Sequence, residues 1–314
     1  MIRIAFIFSL FIFFHINSQV VTPPISPIAK ISQQVGLTNI EIEYSRPSVK
    51  SRKIFGGVVP YDKIWRTGAN KNTIISFDKD VSFSGNIVKK GEYSIYTIPS
   101  ESGWRLILYD EIENSGMPEN WDENKIVLDV FGQSYDLPFS IETFEITISN
   151  ITQNSALLTL NWENQITVFP FDVFTKKEVL ASINKVLSSG NATTWDYHNA
   201  ALYYYQNNLD KNKSKMWFDK SLSMRGGKFP FWVYAYKAQI YNRYGDKKEA
   251  LKAAEKSLEM AKKTGDLNII SSAQKKKLLA SSKLEVARAD LAISKNNAEQ
   301  KRLEFLKDQN LIKS

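Results

Sequence analysis

The sequence predicts an α+β, multidomain chain in which an antiparallel β-sandwich or partly closed barrel is followed by an α-helical repeat domain. Two observations carry this expectation. Short β-rich runs recur between residues 37 and 174, separated by Gly, Asn, Asp and Pro, and after Phe174 the apolar period becomes helical. The length of 314 residues suits two hydrophobic cores.

At the start, a single charge at Arg3 precedes an apolar run from Ile4 to Ile16. A helix of that size covers about 20 Å, short of the roughly 30 Å hydrocarbon layer of a bilayer. Residues 1–19 are therefore expected to be a signal peptide cleaved near Ser18 and Gln19. The chain would then be exported, periplasmic or extracellular, with no transmembrane span after cleavage.

The expected β-rich domain covers residues 28–174. Strand-like runs are Leu37–Tyr44, Thr73–Phe77, Glu92–Ile98, Trp104–Tyr109, Lys125–Phe131, Ile141–Ser149, Ala156–Trp162 and Ile166–Phe171. Lys89-Lys90-Gly91-Glu92 reads as a hairpin turn.

Residues 175–314 form the expected helical-repeat domain. Thr175-Lys-Lys-Glu178 has the spacing of a capping box, opening a helix that runs towards Gly190. Farther on, Tyr234-x2-Lys237-Ala238-x2-Tyr241-x3-Gly245 precedes Ala250-x3-Ala254-x2-Ser257-Leu258. Small residues recur there where paired helices approach closely, a tetratricopeptide-like spacing. Tyr197-x2-Ala200-Ala201-x2-Tyr204 with Ser214, Phe218 and Ser221 reads as a degenerate first copy, and residues 266–309 as capping helices.

Composition removes whole classes of chemistry. There is no cysteine, so disulfides, thiolate nucleophiles and thiolate zinc sites are impossible. The two histidines are His15, inside the expected signal peptide, and His198, so clustered imidazole metal sites are impossible too. His198 is expected to be packed or surface-exposed rather than to act as a base. No glycine-rich phosphate loop occurs, and no cofactor or metal is expected.

Charge is divided unevenly. Residues 1–174 carry 14 basic and 19 acidic side chains, residues 175–314 carry 27 and 14. The basic half could face an acidic partner or an anionic surface, or simply be a solvated lysine-rich surface. Nucleic acid is not expected, because no recognition helix or aromatic-interleaved strand accompanies the charge.

The most distinctive stretch is residues 45–72, with seven basic side chains against the single acid Asp62. Its motifs are Tyr44-Ser-Arg-Pro47, Ile54-Phe-Gly-Gly57, Val59-Pro-Tyr61 and Trp65-Arg-Thr-Gly-Ala-Asn70. They follow Ile31-Ser-Gln-Gln-Val-Gly-Leu-Thr38 and precede Gly91-Glu-Tyr-Ser-Ile-Tyr-Thr-Ile-Pro99. Together these closely resemble the exported bacterial family catalogued as domain of unknown function 2911, over roughly residues 28–172. The resemblance implies a β-rich extracytoplasmic domain, often followed by helical repeats in Bacteroidota-like proteins, and brings no activity or ligand. Ser51 stands where that family usually shows glycine.

Two readings of this segment remain open. Guanidinium forks suit carboxylate, phosphate or sulfate, and aromatic faces suit sugar rings. Arg46, Arg52, Tyr61, Trp65, Arg66 and Asn70 are thus candidate ligand-binding residues for an anionic small molecule or glycan. Alternatively Ile54, Phe55, Val58, Val59 and Trp65 plug the core while the arginines serve strand ends or pair with Glu41, Glu43 and Asp62.

The leading expectation is a non-catalytic binding module whose helical repeats take a protein partner. Carboxylates between Asp110 and Glu123 keep a glycan hydrolase as one alternative, and a structural scaffold is the other.

Overall fold

The computed structural model describes residues 22–265 and 271–273; the expected signal peptide and nearly all of the expected capping helices lie outside these residues. The chain divides into two compact units between Phe174 and Thr175.

The first unit is one antiparallel sheet. Its strands are β1 (Ile28–Val35), β2 (Thr38–Ser45), β3 (Thr73–Phe77), β4 (Val81–Phe83), β5 (Asn86–Val88), β6 (Gly91–Ser100), β7 (Gly103–Tyr109), β8 (Ile126–Ser149) and β9 (Ser155–Val173). They are ordered β1-β2-β3-β6-β7-β8-β9-β4-β5, an open ladder with β1 and β5 at its edges. Among the described residues the strands form neither two separate sheets nor a closed barrel.

The ladder instead folds over on itself at β8 and β9. The first part of β8 pairs with β7 and the second part with β9. The register shifts around Ile141, which faces Glu163, a non-glycine residue at φ +54°. Pro138, which has no N–H to give the ladder, lies in the same interruption. The two gaps expected from sequence, after Phe131 and after Trp162, are thus bends within single long strands.

Rings then meet across the fold. Phe77 of β3 lies 6.3 Å from Phe83 of β4, and Tyr44 of β2 lies 5.8 Å from Phe144 of β8. The Tyr44 hydroxyl accepts from the Ile146 N–H at 3.0 Å. Trp104 and Trp162 are both fully buried, in one core shared by strands from all parts of the ladder. Aromatic pairs of this kind each contribute about 0.5–1.5 kcal/mol beyond their buried area.

The 89–92 step requires a correction. It does not close a hairpin: β5 pairs with β4, whereas β6 pairs with β3 and β7. The two-residue turn that joins β4 to β5 is Ser84-Gly85, with φ +49° and +83°, left-handed at both positions as a type I′ turn requires.

The second unit is helical: α1 (Thr175–Ser188), α2 (Thr194–Gln206), α3 (Lys211–Met224), α4 (Phe231–Arg243) and α5 (Lys247–Lys262). A capping box at Thr193 and Asp196 opens α2. Helices α2 and α3 pack as one pair, α4 and α5 as another. The small residues sit at the contacts: Ala201, Ser214, Ala238, Ala250, Ala254 and Ser257 are all buried. Ser214 donates to the Ala201 carbonyl and Ser257 to the Phe231 carbonyl, both at 2.9 Å, so each hydroxyl is satisfied by the helix it approaches.

Candidate functional site

The basic segment leaves β2 and immediately pairs with the second half of β8. The Phe144 N–H donates to the Pro47 carbonyl at 2.8 Å, and the Val49 N–H to the Glu142 carbonyl at 2.7 Å. Arg46 is consumed in this junction, its Nε donating to the Phe144 carbonyl at 2.9 Å. Lys50 and Ser51 then turn the chain with φ +47° and +57°. Arg52 folds back on the turn, donating from Nε to the Val49 carbonyl at 3.0 Å and from Nη2 to the Ser48 carbonyl at 2.6 Å.

The middle of the segment is the core plug. Ile54, Phe55 and Val59 are buried, whereas Val58 is 46% exposed. Trp65 pairs backbone to backbone with Thr97 of β6. Its ring lies parallel to Trp162 at 5.7 Å, and Trp104 and Phe144 meet it edge-on at 6.0 and 5.1 Å. The indole N–H donates to the Gly68 carbonyl at 3.2 Å.

A hollow of about 380 Å³ opens beside this plug, and Lys50, Arg52 and Arg66 contribute its charge. No carboxylate lines it. Trp65 and Trp162 border it on the core side, with Ile25 and Val58 among its apolar lining. The Glu142 carboxylate, which does not line it, accepts from the Lys50 backbone N–H at 3.0 Å. None of Lys50, Arg52 and Arg66 forms an ion pair among the described residues. The Arg66 Nε is buried without a hydrogen-bond partner among those residues. A buried, unpaired charged donor is costly unless something completes it.

The surroundings hold Arg66 in place. Thr67, a β-branched residue at φ +55°, is fully buried. Its hydroxyl meets that of Thr97 at 3.1 Å, and its carbonyl accepts from Thr73 Oγ1 at 2.6 Å. Strained backbone of this kind persists where its neighbours over-determine it. On the other side, Asn72 accepts from the Gly116 N–H at 2.7 Å and donates to Asn114 Oδ1 at 2.6 Å. A Cβ at Gly116 would lie 3.9 Å from Arg66 Cδ and Nη1, so this clasp sets the 114–116 turn beside the guanidinium.

Of the six residues expected from sequence, Arg52, Trp65 and Arg66 border one hollow, and Arg46, Tyr61 and Asn70 do not. Asn70 instead donates to the Ser26 carbonyl at 3.3 Å. Tyr61 is half-buried in an electronegative setting: burial, then Glu101, Glu163 and Asp136, push its phenol pKa up. Sequence reasoning missed Lys50, whose only mark was membership of the basic run, and Ile25 and Val58, which had no mark as site residues. The pairing of the arginines with Glu41, Glu43 or Asp62 is absent among the described residues, where Glu43 pairs with Lys30 at 2.6 Å.

Three of the six carboxylates of 110–123 are engaged locally. Glu111 pairs with Lys125, Asp122 caps the turn Glu123–Lys125, and Glu123 accepts from the Trp121 indole at 3.1 Å. Among the described residues no three His, Asp or Glu side chains converge as metal ligands would. His198 is buried among Trp195, Phe218, Trp232 and Tyr236, with no partner for either ring nitrogen among the described residues. Burial pushes its pKa down to about 4.

No helix of the described residues is long and apolar enough to cross a membrane. No curated protein and no solved structure matches the chain. The family described as "Protein of unknown function (DUF2911)" matches residues 26–171, the stretch that forms nearly all of the nine-stranded unit and whose motifs resemble it.

Proposed function

We propose that the protein is an exported binding module whose β unit holds a small anionic ligand in the hollow beside Trp65. One observation carries this reading. Lys50, Arg52 and Arg66 share a concave surface with no carboxylate lining it, and the Arg66 Nε is buried without a partner among the described residues. Three like charges repel one another, and an anion placed among them relieves that repulsion. The division of labour among the cations follows from their contacts. Arg52 is partly spent on its own turn, so Arg66 is the main anchor and Lys50 a screening charge.

The paired helices extend the reading to a repeat-like scaffold of tetratricopeptide type, whose basic surface meets an acidic protein partner. Export rests on the apolar run Ile4–Ile16 behind Arg3.

Titration calorimetry with inorganic phosphate and sulfate tests the anchor. Arg66→Gln is expected to weaken binding at least tenfold while the melting temperature holds. Unchanged affinity in that variant would refute the reading. Arg52→Gln is a less clean probe, because it also removes two hydrogen bonds from the 48–52 turn.

A further inference from the structure

The hollow is not uniformly polar, and its apolar part says what the anion is attached to. Ile25 is 78% exposed and Val58 is 46% exposed, although both line a concave surface. Pro47 and Ala69 add further apolar lining, and the cations Lys50, Arg52 and Arg66 share the same space. A free inorganic anion would use only the cations and leave this aliphatic lining wet.

Trp65, the natural platform for a sugar ring, is otherwise engaged. Trp162 lies parallel to its ring at 5.7 Å, Trp104 and Phe144 meet it edge-on, and its N–H is given to the Gly68 carbonyl. The indole therefore belongs to the rim of the core and offers neither a free stacking geometry nor a free donor. The lining also lacks the side-chain carboxylates and amides with which proteins usually read ring hydroxyls.

The geometry points to an amphiphilic anion, a carboxylate carried on a short unbranched alkyl chain, with its head among Lys50, Arg52 and Arg66 and its chain along Ile25 and Val58. This rests on the anion-binding reading above and narrows it. Size agrees: about 380 Å³ equals roughly a dozen waters at about 30 Å³ each, and octanoate has ten non-hydrogen atoms. Arg66 supplies a planar fork suited to a carboxylate, and its unpartnered Nε is one of the two donors such a fork aligns.

Calorimetry on the full chain at constant ionic strength tests this with acetate, butanoate, hexanoate, octanoate and glucuronate. Affinity is expected to rise up to about fourfold per added methylene, levelling off near octanoate as the hollow fills. Val58→Ser, at an exposed position, is expected to shrink the octanoate-to-acetate ratio at least threefold. Equal affinity for acetate and octanoate, with both lost in Arg66→Gln, would overturn the alkyl-chain inference and leave anion binding standing. Glucuronate binding more tightly than octanoate would likewise overturn it in favour of an acidic sugar. Failure of every one of these anions, and of phosphate, to bind would bring down the anion-binding reading itself.

Discussion

Lowering the pH is expected to destabilise the helical unit in part through His198. The imidazole sits among Trp195, Phe218, Trp232 and Tyr236, so no charged side chain is among its ring neighbours and Tyr236 is the one other titratable group there. In the unfolded chain a histidine titrates near 6.5, and in the folded chain burial holds this one down to about 4. Above pH 6.5 both states are neutral and the full stability is present. As pH falls through 6.5 the unfolded chain binds the proton first, so stability drops until the folded imidazole also titrates near 4. The difference amounts to about 3 kcal/mol over the whole window, with roughly 1.4 kcal/mol already lost at pH 5.5. His198→Leu keeps an apolar bulk of similar size and cannot take a proton. Guanidinium unfolding followed at 222 nm, where helix dominates, gives the free energies of both proteins between pH 7.5 and 4.5. Carboxylates common to the two cancel in the difference. That difference is expected to move in favour of the leucine variant as pH falls; a difference that stays flat would refute the assignment of a buried, neutral, unpaired imidazole.

Three further outcomes follow from the β unit. Gly132→Ala would place a Cβ 2.3 Å from the ring of the buried Phe169, and overpacking of this kind costs about 1–3 kcal/mol or more, read as a lower melting temperature and weaker near-ultraviolet dichroism. Asn72→Ala removes the acceptor of the Gly116 N–H and the donors to Asn114 and Ser94, and about 3 kcal/mol of stability is expected to go with them; a loss below about 1 kcal/mol would show the clasp to be dispensable. Ser51→Gly relieves a left-handed residue at φ +57°, worth about 1–2 kcal/mol, against about 0.4–1 kcal/mol of added chain entropy in the unfolded state, so a small rise in melting temperature is expected and a fall would count against strain at this turn.

How much of this was readable in advance depends on how each residue declares itself. Thr73–Phe77 was legible to the residue because a short β-branched and aromatic run is bounded by polar Asn72 and Asp78. Strand β1 was missed as a strand because it is an edge, and Lys30, Ser32, Gln33 and Gln34 dilute its apolar pattern. Strands β4 and β5 have three residues each, too few for a period to show. Pro138 and the run Glu163-Asn-Gln165 look like strand ends in one dimension and prove to be coordinated bends, because each strand stiffens the other across the ladder. The basic segment announced itself by charge density. Which of its cations share a hollow did not, since that depends on the return path through Thr67 and on Trp162, nearly a hundred residues farther along. Its place in a helix did not decide whether His198 is packed or exposed, and its aromatic cage was not legible either.

The folded-over ladder also sets an order of events for the nascent chain. β4 can join its neighbour only when Val173 exists to face Val81, about ninety residues later, and the Pro47–Val49 junction likewise waits for Glu142–Phe144. The hairpin β4–β5 therefore leaves the ribosome with Phe83 lacking its partner Phe171 and stays so until synthesis has passed the end of β9. Such distant pairings slow the search for the native arrangement and lengthen the interval in which an orphan hairpin can stick to a neighbour. A chain of this design stays open to such contacts until its ninth strand is complete.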